Sequence, residues 1–232
     1  MHIKQFRYGA DNLSYLIYGK NDAIAIDGGA VAEIVDFTGS VGLTLAIITN
    51  THAHPDHTSG NQTLLEKSGA RLKDHNELAR EGGISLEGEF ISVFPTPGHT
   101  NDSVTFHCDG CLITGDTLFN GTVGTCFSGD LEAFYHSIRH LLGLPMDTKV
   151  YAGHDYVEYA MAFARLVDPD NRDIDQYLAT YTPAHVFTRL EDELKVNPFV
   201  RYNTPEMIEI LQTRGAATTT EYERFEGVMH LE

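Results

Sequence analysis

The chain has 232 residues and a formal net charge of −17, from 16 Lys and Arg against 33 Asp and Glu. Its hydrophobic share of 42% suffices for a packed core, and its length suits one large domain or a domain with an appendage. The acidity excludes a phosphate-tracking nucleic-acid binder and an anionic-membrane binder, since both need basic surface. No apolar run reaches the roughly 18 residues of a membrane span, the N-terminus lacks a signal-peptide core, and three cysteines rule out a disulfide scaffold. The expected location is the reducing cytoplasm.

In chain order, His2–Gly9, Ser14–Gly19 and Asp22–Asp27 read as short strands, and Asp27-Gly28-Gly29 stops the third. Residues 30–39 are helical in pattern. Leu43–Asn50 is a nearly continuous apolar run, the mark of a buried strand. A helix is expected from about Ser59 to Ser68. Strands follow at Ala70–Asp74, Glu89–Phe94, Asp102–Cys108 and Cys111–Thr114, with Asp109-Gly110 as a two-residue hairpin turn. Asp130 caps a helix to Leu142, Lys149–Ala152 is a last strand, and Tyr156–Val167 is amphipathic. From Asp168 to Gly215 the chain is helical and broken by prolines. The tail after Gly215 is polar and is expected to be only partly ordered.

The sharpest local signal is Thr51-His52-Ala53-His54-Pro55-Asp56-His57, set directly after the buried strand. Strand ends present loops at the rim of a sheet, where a tight turn can aim several side chains at one point. Imidazole and carboxylate donors together suit Zn, Fe or Mn, and the lack of Cys argues against a closed structural zinc site. Three further loops follow strand-like runs: Thr96-Pro97-Gly98-His99-Thr100, Thr114-Gly115-Asp116-Thr117 and Ala152-Gly153-His154-Asp155. Each alone is an ordinary turn. In this order they form a pattern.

That order, HxHxDH, then His99, then Asp116, then His154, resembles the metallo-β-lactamase superfamily. The resemblance implies an α/β fold, the αββα sandwich, and a site for two divalent metal ions, Zn first with Fe or Mn as alternatives. It implies that His52, His54 and His99 hold one ion and Asp56, His57 and His154 the second, with Asp116 bridging. Asp116 and Asp56 are then the catalytic carboxylates: two cations acidify a water that attacks a carbonyl.

Within the superfamily, Gly115-Asp116-Thr117-Leu118-Phe119, Gly153-His154-Asp155-Tyr156 and Asn197-Pro198-Phe199-Val200-Arg201 resemble glyoxalase II, the hydroxyacylglutathione hydrolases. The implied arrangement is a catalytic domain over 1–167 and a helical substrate-binding appendage over 168–232. The implied substrate is a small thioester such as S-lactoylglutathione. In that family a basic residue and a tyrosine in the loop after GDTLF, a tyrosine after the last His, and C-terminal basic residues bind glutathione. Tyr156 and Arg201 match, whereas Thr125 and Phe127 stand at the basic and tyrosine positions. The thiol half is therefore open. Two other activities of the fold are alternatives: a mononuclear-iron persulfide dioxygenase, using His54, His99 and Asp116, and a lactonase.

Other residues weigh less. His136 and His140 sit four apart on one helix but lack the Glu of HExxH, and His75, His107 and His185 read as surface or satisfied core histidines. Cys108 and Cys111 face each other across a hairpin as free thiols. Cys126 lies in the loop near the expected thiol pocket. The sequence leaves the oligomeric state undetermined.

Overall fold

The chain begins by building one face of a sandwich. In the computed structural model, which describes residues 1–231, β1 (His2–Tyr8), β2 (Asn12–Tyr18) and β3 (Asp22–Ile26) form an antiparallel meander. Helix α1 (Val31–Val41) crosses over to β4 (Thr44–Thr49), parallel to β3; α2 (Pro55–Thr58) and α3 (Asn61–Ser68) lead to β5 (Arg71–Leu72), parallel to β4. This sheet has the order β1-β2-β3-β4-β5.

A short helix, α4 (His75–Glu81), leads into the second sheet. There β6 (Gly83–Leu86), β7 (Glu89–Pro95), β8 (Val104–Cys108) and β9 (Cys111–Gly115) form a second antiparallel meander. The β8–β9 turn is Asp109-Gly110, with φ of 50° and 68° at the two positions, a left-handed pair that Asp and Gly tolerate. After α5 (Leu131–Leu142), β10 (Lys149–Ala152) pairs parallel to β9. Helices α6 (Val157–Val167) and α7 (Asp173–Thr180) follow, then the edge strand β11 (Thr188–Arg189) against β10, and α8 (Leu190–Val196), α9 (Pro205–Thr213) and α10 (Glu221–Met229).

Strand alternation assigns the layers. Leu13, Tyr15 and Ile17 of β2 face inward, against Ile113 of β9 and Tyr151 of β10 in the core between the sheets. Leu16 of β2 faces outward, under Ile34 of α1 and Leu64 of α3. Leu112 of β9 and Val150 of β10 face the opposite outside, under α5 and α8–α10. The result is helix, sheet, sheet, helix: the expected αββα sandwich.

Several sequence expectations change. The helix expected at 59–68 starts at Asn61, after a separate turn of helix α2, and the strand expected at 70–74 is only Arg71–Leu72. Helix α4 and strand β6 were hidden because each is short and Gly82-Gly83 between them reads as a turn; α4 is announced only by Asp74, whose side chain accepts from Glu77 N. The polar tail is ordered as α10, with Phe225 and Val228 fully buried.

Candidate metal centre

The seven residues singled out by pattern come from four loops at one end of the sandwich. They follow β4, β7, β9 and β10; β7 and β9 run in the same direction because two antiparallel steps separate them, and β10 joins them because it pairs parallel to β9. The loop after β4 is fixed before it reaches the site. Thr51 donates from its N–H and hydroxyl to the two oxygens of Asp27, at 2.8 and 2.7 Å, and Asn50 Nδ2 donates to His57 O at 2.7 Å. His54 precedes Pro55 at the start of α2, so Asp56 and His57 fall within one helical turn. Gly153 is required where it stands, since a Cβ there would lie 2.2 Å from Asp116 Oδ1.

Two clusters result. His54 Nδ1 lies 2.9 Å from His52 Nε2 and 3.0 Å from His99 Nε2. His154 Nε2 lies 3.3 Å from His57 Nε2 and 3.2 Å from Asp56 Oδ2. Asp116 joins them: Oδ2 is 3.5 Å from His99 Nε2 and 4.0 Å from His52 Nε2, and Oδ1 is 3.3 Å from His57 Nε2. Within each group the candidate ligand atoms lie within 4.8 Å of one another. Five imidazoles and two carboxylates so concentrated are the donor set a cation coordinates. Asp116 Oδ1 is also buried, and no hydrogen bond satisfies it. All seven donors are imidazole or carboxylate, and the set fits divalent metal.

The electrostatics follow. Burial, with His57 beside it, lowers His52 to about 4. Burial also lowers His99. Burial opposes charge on His57, but Asp27 and Asp116 override it and hold the imidazolium up to about 11. For Asp116, burial would raise the carboxyl, yet the imidazoles of His57, His154 and His52 hold it down at about 2.

Outer partners orient the candidate ligands. His57 Nδ1 is 2.9 Å from Asp27 Oδ2, His154 Nδ1 is 2.8 Å from Asp11 Oδ1, and Asn12 Nδ2 donates to Asp56 Oδ2 at 2.9 Å. His99 Nδ1 donates to Thr125 O at 3.0 Å. Asp11, Asn12 and Asp27 escaped the sequence reading. Asp27 read only as the end of a strand; its signal is structural, a buried non-glycine residue with φ of 52°.

Residues expected at the substrate subsite divide. Tyr156 stacks on His154, with centroids 5.0 Å apart and planes 8° from parallel, and Phe119 packs edge-on to Tyr156. Phe127 is 68% exposed, its ring 5.3 Å from His99 and 5.9 Å from His54. Thr125 is exposed beside it. Arg201 is neither solvated nor free, because its guanidinium is buried and Nη1 is 2.9 Å from Asp168 Oδ2. His136, His140 and His185 are exposed, His107 is half-buried, and His75 is buried and bonded to Asp102; none joins a ligand group among the described residues. No described helix is long and apolar enough to cross a membrane.

Comparison with known proteins agrees with this geometry. Residues 8–84 and 71–154 match the family model of the metallo-beta-lactamase superfamily, and residues 155–228 match the hydroxyacylglutathione hydrolase C-terminus. The chain is 34% identical over 224 residues to the hydroxyacylglutathione hydrolase of Maricaulis maris, covering 88% of each. It is 30% identical over 245 residues to that of Pseudoalteromonas translucida, covering 98% of this chain and 95% of the relative. Among solved structures, ETHE1 from Myxococcus xanthus superposes with a TM-score of 0.70 at 22% identity, covering 99% of this chain and 90% of that one. The BLEG-1 B3 metallo-beta-lactamase superposes with a TM-score of 0.66 at 21% identity, covering 86% and 99%. These last two share the fold. With seven candidate ligand residues converging in an αββα sandwich, and with family models matched over residues 8–154 and 155–228, the chain is a metallo-hydrolase belonging to the hydroxyacylglutathione hydrolase, or glyoxalase II, family of the metallo-β-lactamase superfamily.

Proposed function

We propose that this chain hydrolyses a small-molecule thioester with two divalent cations, His52, His54 and His99 holding one, Asp56, His57 and His154 the other, and Asp116 touching both. The observation that carries this reading is Asp116, a buried carboxylate set between the clusters: Oδ2 lies 3.5 Å from both His99 Nε2 and His154 Nε2, and Oδ1 lies 3.3 Å from His57 Nε2. Divalent cations held by these residues would supply Lewis acidity, lowering the pKa of water from about 16 towards 7 and polarising the carbonyl under attack.

The chain's own groups do the rest. Asp27 and Asp11 fix the tautomers of His57 and His154, so that each presents Nε2 to the site. Asp56, its side chain 45% exposed, faces the open side from which water arrives. Water gives up a proton to solvent as its oxygen adds to the carbonyl, the C–S bond breaks, the thiol leaves as thiolate, and the new acid ionises to carboxylate. With a thiol pKa near 8.5, that departure needs no strong acid.

Half-buried Tyr156, backed by buried Phe119, and exposed Phe127 put aromatic surface beside the two clusters, and Thr125 and Phe127 supply neither a cation nor a phenol for a glutathione carboxylate. Arg201 already neutralises Asp168. The thiol half this mouth accepts best is therefore less anionic than glutathione.

A panel of thioesters with neutral and carboxylate-bearing thiol halves, followed by thiol release, tests both parts. One missing charge-assisted hydrogen bond, about 1.5–3 kcal/mol, corresponds to roughly a ten- to hundredfold lower kcat/KM for the glutathione thioester. Thr125→Lys with Phe127→Tyr should recover it chiefly through KM. A low-micromolar wild-type KM for S-lactoylglutathione, unchanged in the double variant, would reject the thiol-half reading. No turnover of any thioester by the two-ion enzyme would reject thioester hydrolysis.

A further inference from the structure

The two ligand clusters are held from outside in different ways. In the first, His52 Nδ1 meets the Thr51 hydroxyl at 3.1 Å and His99 Nδ1 meets a backbone carbonyl, so both partners are neutral. In the second, each member is gripped by a side chain: His57 by Asp27, His154 by Asp11 and Asp56 by Asn12. Two of those three grips come from adjacent residues at the tip of the β1–β2 hairpin.

That tip is docked by its backbone. Asn12 forms an isolated antiparallel bridge with His154, Leu13 N donates to Gly153 O at 2.8 Å, and Asp155 N donates to Asp11 O at 2.9 Å. The side chains of Asp11 and Asn12 are thereby aimed at the second cluster. Asn12 Nδ2 also approaches His154 Nε2, at 3.4 Å. Asp56 most needs such a grip, since its side chain is 45% exposed whereas those of His57 and His154 are buried.

We propose that Asp11 and Asn12 are positioning residues that set the occupancy of the second cluster alone, independently of the first. The proposal rests on the two-ion reading above. An Asp partner on the far nitrogen fixes the imidazole tautomer and raises its basicity, and a donor on the carboxylate pins an otherwise mobile ligand; losing such outer partners costs about 10- to 100-fold in metal affinity.

The test is ion content and chelator competition on the full-length, metal-loaded protein, with Co(II) as a spectroscopic probe. Wild type is expected to hold two ions with magnetic coupling between them. Asp11→Asn with Asn12→Leu, which roughly preserve volume, should release one ion at roughly 10- to 100-fold lower chelator concentration. The ion that stays should be uncoupled and retain the wild-type chelator midpoint. Asp11→Glu, which restores the carboxylate, should recover part of the lost affinity. Thermal unfolding of the metal-free forms reads any folding defect separately. Two ions held with unchanged midpoints in the double variant, or both ions lost together, would overturn the proposal while leaving the two-ion reading standing. A wild type that takes up a single ion would overturn both.

Discussion

Asp116 is the residue on which the two clusters depend. It is buried, held ionised by three imidazoles, and lies within 4 Å of ligands from both groups. Asp116→Ala should strip metal from both clusters and abolish hydrolysis. Elemental analysis after gel filtration checks this, and two retained ions with full activity would refute it. His57 yields a second prediction. An imidazole can take up metal only through an unprotonated nitrogen, yet the metal-free protein holds His57 protonated up to about pH 11, whereas His52 is already neutral above about pH 4. Metal entering the second cluster at pH 7 must therefore release the His57 proton, and metal entering the first releases none from His52. Asp27→Asn removes the main partner of that charge and should reduce the proton count. Calorimetry in buffers of different ionisation enthalpy measures it. In the metal-free protein the sign is fixed: the raised pKa contributes stability that is fully present below about pH 6.5 and is lost as pH rises through about 11.

Helix α10 shows how an element can hide in a polar sequence. Thr220 accepts from Glu223 N, and the Glu223 side chain accepts from Thr220 N, a reciprocal cap that the pattern Thr-x-x-Glu encodes. Its apolar stripe is thin, because only Phe225 and Val228 are fully buried. Phe225 meets Phe134 of α5 edge-on at 6.2 Å and Tyr202 at 5.7 Å, so the helix is held by contacts far away in sequence. Phe225→Ala should cost about 3–5 kcal/mol and Thr220→Ala about 1 kcal/mol in urea unfolding. Both variants should keep wild-type ion content below their transitions. An unchanged midpoint for Phe225→Ala would mean that α10 is not docked.

Across the whole molecule, the C-terminal helices are woven into the sandwich. Ile174, Tyr177, Val186 and Val196 belong to the core between the sheets, while Phe199, Met207, Leu211 and Phe225 share a core with α5. Glu193, fully buried, accepts from Tyr177 Oη, Thr188 Oγ1, Asn197 Nδ2 and Gly121 N at 2.6–2.9 Å. It thus ties α8 to the loop beyond Asp116. Arg201 and Asp168 form a second tie, both largely buried. Arg201→Ala leaves Asp168 an unpaired buried charge and should cost about 3–5 kcal/mol within one cooperative transition. A second, separate transition, or no loss of stability, would mean that Arg201 serves substrate alone.

The sequence by itself determined the layered fold and singled out the seven donor residues that the fold brings together. Rare donor types recur directly after apolar runs, and that short-range pattern needs no knowledge of what packs where. Strand alternation likewise separates Tyr15 and Ile113 from Leu16 and Leu112 one residue away. Tertiary structure alone decided the partners. Asp11 and Asn12 lie more than 140 residues from His154, and Arg201 lies 33 from Asp168. A single polar residue in a turn or on a helix looks the same in sequence whether it meets water or an ion pair. Only folding brings the complementary charge within 3 Å of it, and that proximity fixes which imidazoles carry protons and which arginine is already spoken for.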